Sequence, residues 1–396
     1  MTTPATIKIY LARALRDFGD GFIALLLPVY LTALGLGAFE IGAVATLALL
    51  GSALTTLAIG FIGGRYDQRA LLIAAAILMI ATGVAFAGAS SVAIILLIAF
   101  LGTINPSAGN VSIFVPVEHA VLARSVPSAE RTAMFARYGL IGAIAAAAGS
   151  LAAASPELMT ALGLTQVTAL KLMFVAYAAL GLAGAVTYAQ LPPEPPLPEA
   201  RSAALGPSRG IVYKLAALFS IDAFAGGFAV QSLLALWLFD KFGLSLSAAG
   251  IFFFWAGLLS AVSYPIAAWL ARRIGLINTM VWTHIPSSVC LIIAAIVPDM
   301  YAALGLLLVR FALSQMDVPT RSSYVMAVVT PPERTAAASF TAVPRSLASA
   351  LSPVLAGALY AAGLQAWPLV ICGALKIAYD LALLWTFRHV RPPEEQ

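Results

Sequence analysis

Only 10% of this 396-residue chain is charged, yet a small set of ionisable side chains falls inside stretches otherwise built from Ala, Leu, Ile, Val and Phe. Asp17 and Asp20 lie three apart, so on a helix they share a face. Asp222 stands in a second such stretch. Glu118 and His119 are adjacent, and Arg137 lies at similar depth in the next apolar stretch. Asp317 and Arg321 are four apart with the acid first, the favourable order for an intrahelical pair, and Lys376 and Asp380 are also four apart. Arg310 and Arg345 have no local acid, and Arg345 directly follows Pro344. A carboxyl withdrawn from water can take and release a proton. A guanidinium stays charged and serves as a counter-ion, either to a carboxylate or to an anionic solute.

These types assign expected roles. Asp20, Asp222, Asp17 and Glu118 are the candidates for coupling to protons. Arg137, Arg310, Arg321 and Arg345 are the candidates for holding a solute. Asn105 and Asn110, around the helix-interrupting Pro106, join them, as do Tyr138 and Tyr324, which flank charged positions. The competing reading is structural: Glu118–Arg137, Asp317–Arg321 and Lys376–Asp380 as neutral pairs that hold helices together. His119 is read as a hydrogen-bonded neighbour of the Glu118 pair; His284 and His389 receive no role. No Ser/His/Asp set, metal-ligand cluster or phosphate-cradling glycine loop is present, which disfavours an enzyme, a cofactor or a metal. Cys290 and Cys372 sit in apolar runs and read as buried thiols.

The elements that position these residues follow from composition. Apolar residues make up 61% of the chain and mean hydropathy is +0.96, against roughly 45–50% apolar residues in soluble domains. There is too little polar surface for a water-soluble enzyme. Continuous apolar runs of about twenty residues match membrane-crossing helices rather than the ten-residue alternating segments of a barrel. A charge at the bilayer centre costs about 2.5–3.5 kcal/mol on insertion scales, so each buried charge must pair or face water. The pattern predicts an all-α membrane protein of twelve helices, near 12–34, 40–62, 70–88, 92–122, 129–154, 168–190, 211–239, 247–270, 276–297, 301–328, 333–361 and 367–387. The first is too long and too charged for a cleaved signal peptide.

With the N-terminus inside, fifteen basic residues fall on the cytoplasmic side: Lys8, Arg13, Arg16, Arg65, Arg69, Arg124, Arg131, Arg201, Arg209, Lys214, Arg272, Arg273, Arg334, Arg388 and Arg391. Only Lys171 and Lys241 fall on the other. This positive-inside bias predicts a multi-pass protein of the inner membrane with both termini cytoplasmic. It also assigns the net charge of +5 to the lipid bilayer rather than to nucleic acid.

The proline-rich interval 191–210 separates residues 1–190 from residues 211–396, six predicted helices from six. The halves repeat. Val115-Pro116-Val117-Glu118-His119 followed by Glu130-Arg131-Thr132-Ala133 returns 203 residues later as Val318-Pro319-Thr320-Arg321-Ser322 followed by Glu333-Arg334-Thr335-Ala336. Gly21-Phe22 returns as Gly227-Phe228. An even number of spans gives a parallel repeat, two six-helix bundles related by a pseudo-two-fold axis along the membrane normal.

At this point the chain resembles the major facilitator superfamily over its whole length. The family's loop between helices 2 and 3 reads Gly-x-Leu-Ala-Asp-Arg-x-Gly-Arg-Arg. Here it reads Gly60-Phe61-Ile62-Gly63-Gly64-Arg65-Tyr66-Asp67-Gln68-Arg69. The second copy is Ala268-Trp269-Leu270-Ala271-Arg272-Arg273-Ile274-Gly275, and neither copy keeps the usual acid. Exporters of the family carry an early Arg in helix 4 and a Gly-Pro pattern in helix 5. Neither is kept, although Arg310 in helix 10 and Ser352-Pro353-Val354-Leu355-Ala356-Gly357 in helix 11 are looser versions. The resemblance implies a drug-exporter-like branch with degraded motifs.

The function expected is secondary active transport of a small organic solute by alternating access, with proton-coupled export of an anionic or zwitterionic compound, acting as a monomer. Proton-coupled uptake of an organic acid or sugar derivative is the alternative within transport. A non-transporting sensor or scaffold with the same fold is the alternative of another class.

Overall fold

The computed structural model describes residues 4–62, 65–107, 112–125, 131–193, 205–330, 333–388 and 390. They form α1 (Pro4–Ala33), α2 (Ala38–Ile62), α3 (Gln68–Gly88), α4 (Val92–Leu101), α5 (Phe114–Ser125), α6 (Arg131–Ala152), α7 (Ser155–Ala161), α8 (Gln166–Ala189), α9 (Arg209–Gly227), α10 (Gln231–Phe242), α11 (Leu246–Ile274), α12 (Leu276–Ile296), α13 (Met300–Ser314), α14 (Asp317–Val328), α15 (Arg334–Ala361) and α16 (Trp367–Phe387). The described chain is all-helical, and three of the twelve predicted spans are broken into two helices each: α4 with α5, α9 with α10, and α13 with α14; the short α7 follows α6 beyond the predicted end of its span.

The breaks have local causes. α4 stops at Gly102, and Asn105 Oδ1 accepts the Ser107 N–H at 2.9 Å, a turn built around Pro106. α7 restarts the chain with Pro156 in its first turn. α14 opens on Asp317, an acid at the positive end of a helix. Among the described residues, ten helical stretches are long and apolar enough to cross a membrane. The two predicted spans outside that set are α1, which carries Lys8, Arg13, Arg16, Asp17 and Asp20, and the broken α4–α5.

The chain divides into two compact units, residues 1–199 with 230–254, and residues 200–229 with 255–396. The segment 230–254 joins the first unit through specific bonds. Ser232 N–H donates to the Pro106 carbonyl at 3.0 Å, and Leu246 N–H donates to the Glu157 carboxylate at 2.7 Å.

Within the first unit α1 meets α6 backbone to backbone at two glycines: a Cβ on Gly21 would collide with the Ala146 carbonyl, and one on Gly149 with the Phe18 carbonyl. Within the second unit Gly227 of α9 has the same relation to α15, pressed on the Ser349 carbonyl and the Ser352 hydroxyl. The repeat is visible in hydrogen bonds too. Arg131 Nε donates to the Ala123 carbonyl at 3.0 Å, and 203 residues later Arg334 Nε donates to the Met326 carbonyl at 3.1 Å. Each arginine reaches back eight residues to a carbonyl of the preceding helix.

Candidate functional site

The first unit gathers its buried charges around α1. Arg13 Nε lies 2.6 Å from Asp17, the i,i+4 contact of one helix face, and Arg16 Nε lies 3.5 Å from the same carboxylate. Arg16 reaches α5, where its Nη2 donates to Glu118 Oε2 at 3.0 Å. Glu118, fully buried, also accepts from Tyr138 of α6 at 2.5 Å and from Tyr188 of α8 at 2.6 Å. Arg13 Nη1 donates to the Tyr138 oxygen at 3.2 Å and its guanidinium lies over that ring. The glycine at 142 makes room, since a Cβ there would enter the Arg13–Asp17 contact. Asp20 sits one turn away, 2% exposed, and receives a long 3.4 Å hydrogen bond from Tyr177. Arg13 and Arg16 balance Asp17 and Glu118, so an ionised Asp20 is the surplus charge of this cluster.

The second unit gathers its charges around Asp222 of α9. Lys376 of α16 donates to Oδ1 at 2.6 Å, and Arg321 of α14 donates to Oδ2 at 3.1 Å. Arg321 also meets Asp317 at 3.2 Å. His284 of α12 stands between two acids, its Nδ1 at 3.0 Å from Asp380 and its Nε2 at 3.9 Å from Asp222 and 3.4 Å from Lys376. Arg310 is half-buried with its guanidinium over Phe311, and Arg345 is exposed. Among the described residues neither has a carboxylate at ion-pair distance.

Several expectations from sequence need correction. Glu118 pairs with Arg16, not with Arg137, which is exposed on α6. Consecutive helices do neighbour each other, but α1 also lies beside α5 and brings its own guanidinium to the acid. Lys376 and Asp380 do not pair with each other; Lys376 goes to Asp222 and Asp380 to His284. Asp222, which has no acid or base near it in the chain, is held by two cations from other helices. Tyr324 lies in an apolar cluster with Phe219, Tyr379 and Phe387, and its hydroxyl donates to the Val390 carbonyl. Asn105 is buried and shapes the turn after α4, while Asn110 lies outside the described residues. His119 packs on the Phe135 and Tyr138 rings. Arg13 and Arg16, counted with the cytoplasmic basic residues, are each 4% exposed and belong to the buried cluster. The Arg13–Asp17 spacing was the signal that could have shown this. Tyr177, Tyr188 and His284 had no local sequence signal, because their partners come from distant helices.

The family model of the Major Facilitator Superfamily matches residues 9–315 and 216–396. A membrane protein of Saccharomyces cerevisiae, YJR124C, is 24% identical over 94% of this chain and 92% of its own length. Among solved structures, a bacterial homologue of the human lysosomal transporter Spinster, in an inward-facing occupied conformation, superposes with a TM-score of 0.75 at 16% identity, covering 98% of this chain and 97% of its own. The nucleoside transporter NupG gives 0.73 at 14% identity over 98% and 100% of the two chains. The human organic anion transporter MFSD10 gives 0.63 at 17% identity over 96% and 99%. The buried charges of both units therefore belong to a multi-pass membrane transporter rather than an enzyme, and the chain is a member of the Major Facilitator Superfamily.

Proposed function

We propose that this protein couples protons to the export of an anionic or zwitterionic organic solute by alternating access, in an inner membrane with both termini cytoplasmic. Asp20 carries the reading. It is a buried carboxyl whose charge no neighbouring guanidinium is left to balance, so a single proton makes the α1 cluster neutral. A group that must be protonated in one state and can ionise in another is what coupling requires.

The solute class rests on Arg310 and Arg345, guanidiniums of the second unit with no carboxylate at ion-pair distance among the described residues. An anionic group on the solute would supply the missing partner. The fold shared with a human organic anion transporter is consistent with that chemistry. The basic residues of the predicted inner loops supply the orientation.

The test is made in proteoliposomes loaded with a pH-sensitive dye and challenged with a panel of organic anions and zwitterions. The wild type is expected to move protons in response to at least one member. Asp20→Asn is expected to keep the thermal stabilisation given by that compound and to lose the proton flux. Wild-type proton flux in Asp20→Asn removes the coupling role of Asp20. An active panel member that moves no protons removes the coupling itself, and the sign of the driving gradient separates export from uptake.

A further inference from the structure

Resting on that reading of proton coupling, the arrangement of α9, α12 and α16 carries a second idea. We propose that His284 and Asp380 form a one-proton site whose filling releases Lys376 from Asp222.

The chemistry of the partners fixes the hydrogen on the ring. A carboxylate can only accept, so at 3.0 Å from Asp380 the His284 Nδ1 carries its hydrogen. An ammonium can only donate, so at 3.4 Å from Lys376 the Nε2 is a bare lone pair. Lys376 is thus shared between Asp222 at 2.6 Å and His284. A proton arriving from water adds to Nε2 and makes an imidazolium; no other bond changes. That nitrogen then turns a donor toward a donor. Its nearest carboxylate is Asp222 Oδ1 at 3.9 Å, the very oxygen that Lys376 holds. Imidazolium and ammonium compete for one acceptor, and Lys376 loses both of its partners.

Asp222, Asp317 and Asp380 face Arg321 and Lys376, and Arg345 of α15 acts electrostatically on Asp222 and Asp317 as well. Asp380 is fully buried, and its Oδ2 has no hydrogen-bond partner among the described residues, so the same proton has a second place to rest. The remaining groups of this cluster are Tyr379, edge-on to the ring at 6.2 Å, Arg321 with Asp317 from α14, Arg345 from α15, and Cys372 of α16, which lies near Lys376 and Arg310 of α13. No further carboxylate joins them among the described residues.

The chain has three histidines, which makes the idea directly readable by 15N NMR of histidine-labelled, full-length protein in lipid nanodiscs. His119→Gln and His389→Gln assign the resonances. At neutral pH the His284 ring is expected to be uncharged with its hydrogen on Nδ1, and acidification is expected to convert it to the imidazolium. In Lys376→Met, where the opposing ammonium is gone, the changeover is expected to move by about one pH unit toward alkali, and in Asp380→Asn the opposite way. A hydrogen on Nε2 at neutral pH, an unchanging ring between about pH 4 and 9, or the same changeover in wild type and Lys376→Met overturns the proposal. The first two readings need no variant, so misfolding of Lys376→Met leaves the idea exposed to them. The spectrum needs neither solute nor gradient, so it stands or falls separately from the flux test of Asp20.

Discussion

Glu118 and Arg321 occupy matching places in the two halves of the chain, 203 residues apart, and carry opposite charges. Each is buried and each reaches the leading helix of its own half. Glu118 meets Arg16 of α1 at 3.0 Å, and Arg321 meets Asp222 of α9 at 3.1 Å. The interaction has been kept while its polarity was reversed: the first half places the cation on the leading helix, the second half places the acid there.

This polarity makes the pair at Glu118 testable against the pair expected from sequence. Removing one partner of a buried ion pair strands the other charge, at a cost of about 3–5 kcal/mol. Glu118→Ala should therefore lower the melting temperature of detergent-solubilised protein sharply, and the exchanged double variant Arg16→Glu with Glu118→Arg should recover part of the loss. Arg137→Ala should change stability by no more than about 0.5 kcal/mol, as for an exposed position. A large effect at Arg137 with none at Arg16 would restore the pairing read from the sequence.

The contact of α1 with α6 predicts intolerance to a single methyl group. Gly149 faces the Phe18 carbonyl, and backbone cannot step aside as a flexible side chain can. Gly149→Ala should cost about 1–3 kcal/mol, the usual range for overpacking. Gly184→Ala, where a Cβ would meet open space, should be tolerated. Equal melting temperatures for the two variants would show that the helices are not in backbone contact.

A third expectation concerns acid. Glu333, three residues before the apolar stretch of α15, holds the chain that enters α9: it accepts from Ser208 and Thr330 and from the Gly206 amide. These hydrogen bonds, from Ser208 first, then Thr330 and Gly206, hold its carboxyl down at about 2, against an ordinary 4.5. Because the folded value is the lower one, the tie is complete above about pH 4.5 and is lost as pH falls through about 2. Hydrogen exchange over residues 205–212, corrected for intrinsic rate, should show constant protection down to about pH 4.5 and a fall below it. Glu333→Gln should show the reduced protection already at neutral pH. Equal protection in the two proteins would mean that the carboxylate does not hold this segment.

The helical class, the six-plus-six repeat and the membrane were readable from the chain because apolar run length, loop charge and the Glu-Arg-Thr-Ala copies are properties of contiguous residues. The i,i+4 contacts of Arg13 with Asp17 and of Asp317 with Arg321 were within reach for the same reason. What could not be read was choice among distant partners. Lys376 has an acid one turn away and yet pairs with Asp222, 154 residues off, because α9 and α16 pack together and bring the shorter contact. His284 looked idle because Asp380 and Lys376 come from α16. The two buried arginines of α1 misled in the opposite sense: near a chain terminus, a basic residue reads as a loop anchor until a carboxylate from another helix accounts for it.

The backbone seam of α1 on α6 has one further consequence. With no side chain between the Phe18 carbonyl and Gly149, a tilt of the first helix at that point would press directly on the second. Tyr138 rides on that second helix and Arg16 on the first, so a joint shift of the two would move two of the donors to Glu118 at once, leaving the acid with Tyr188 of α8.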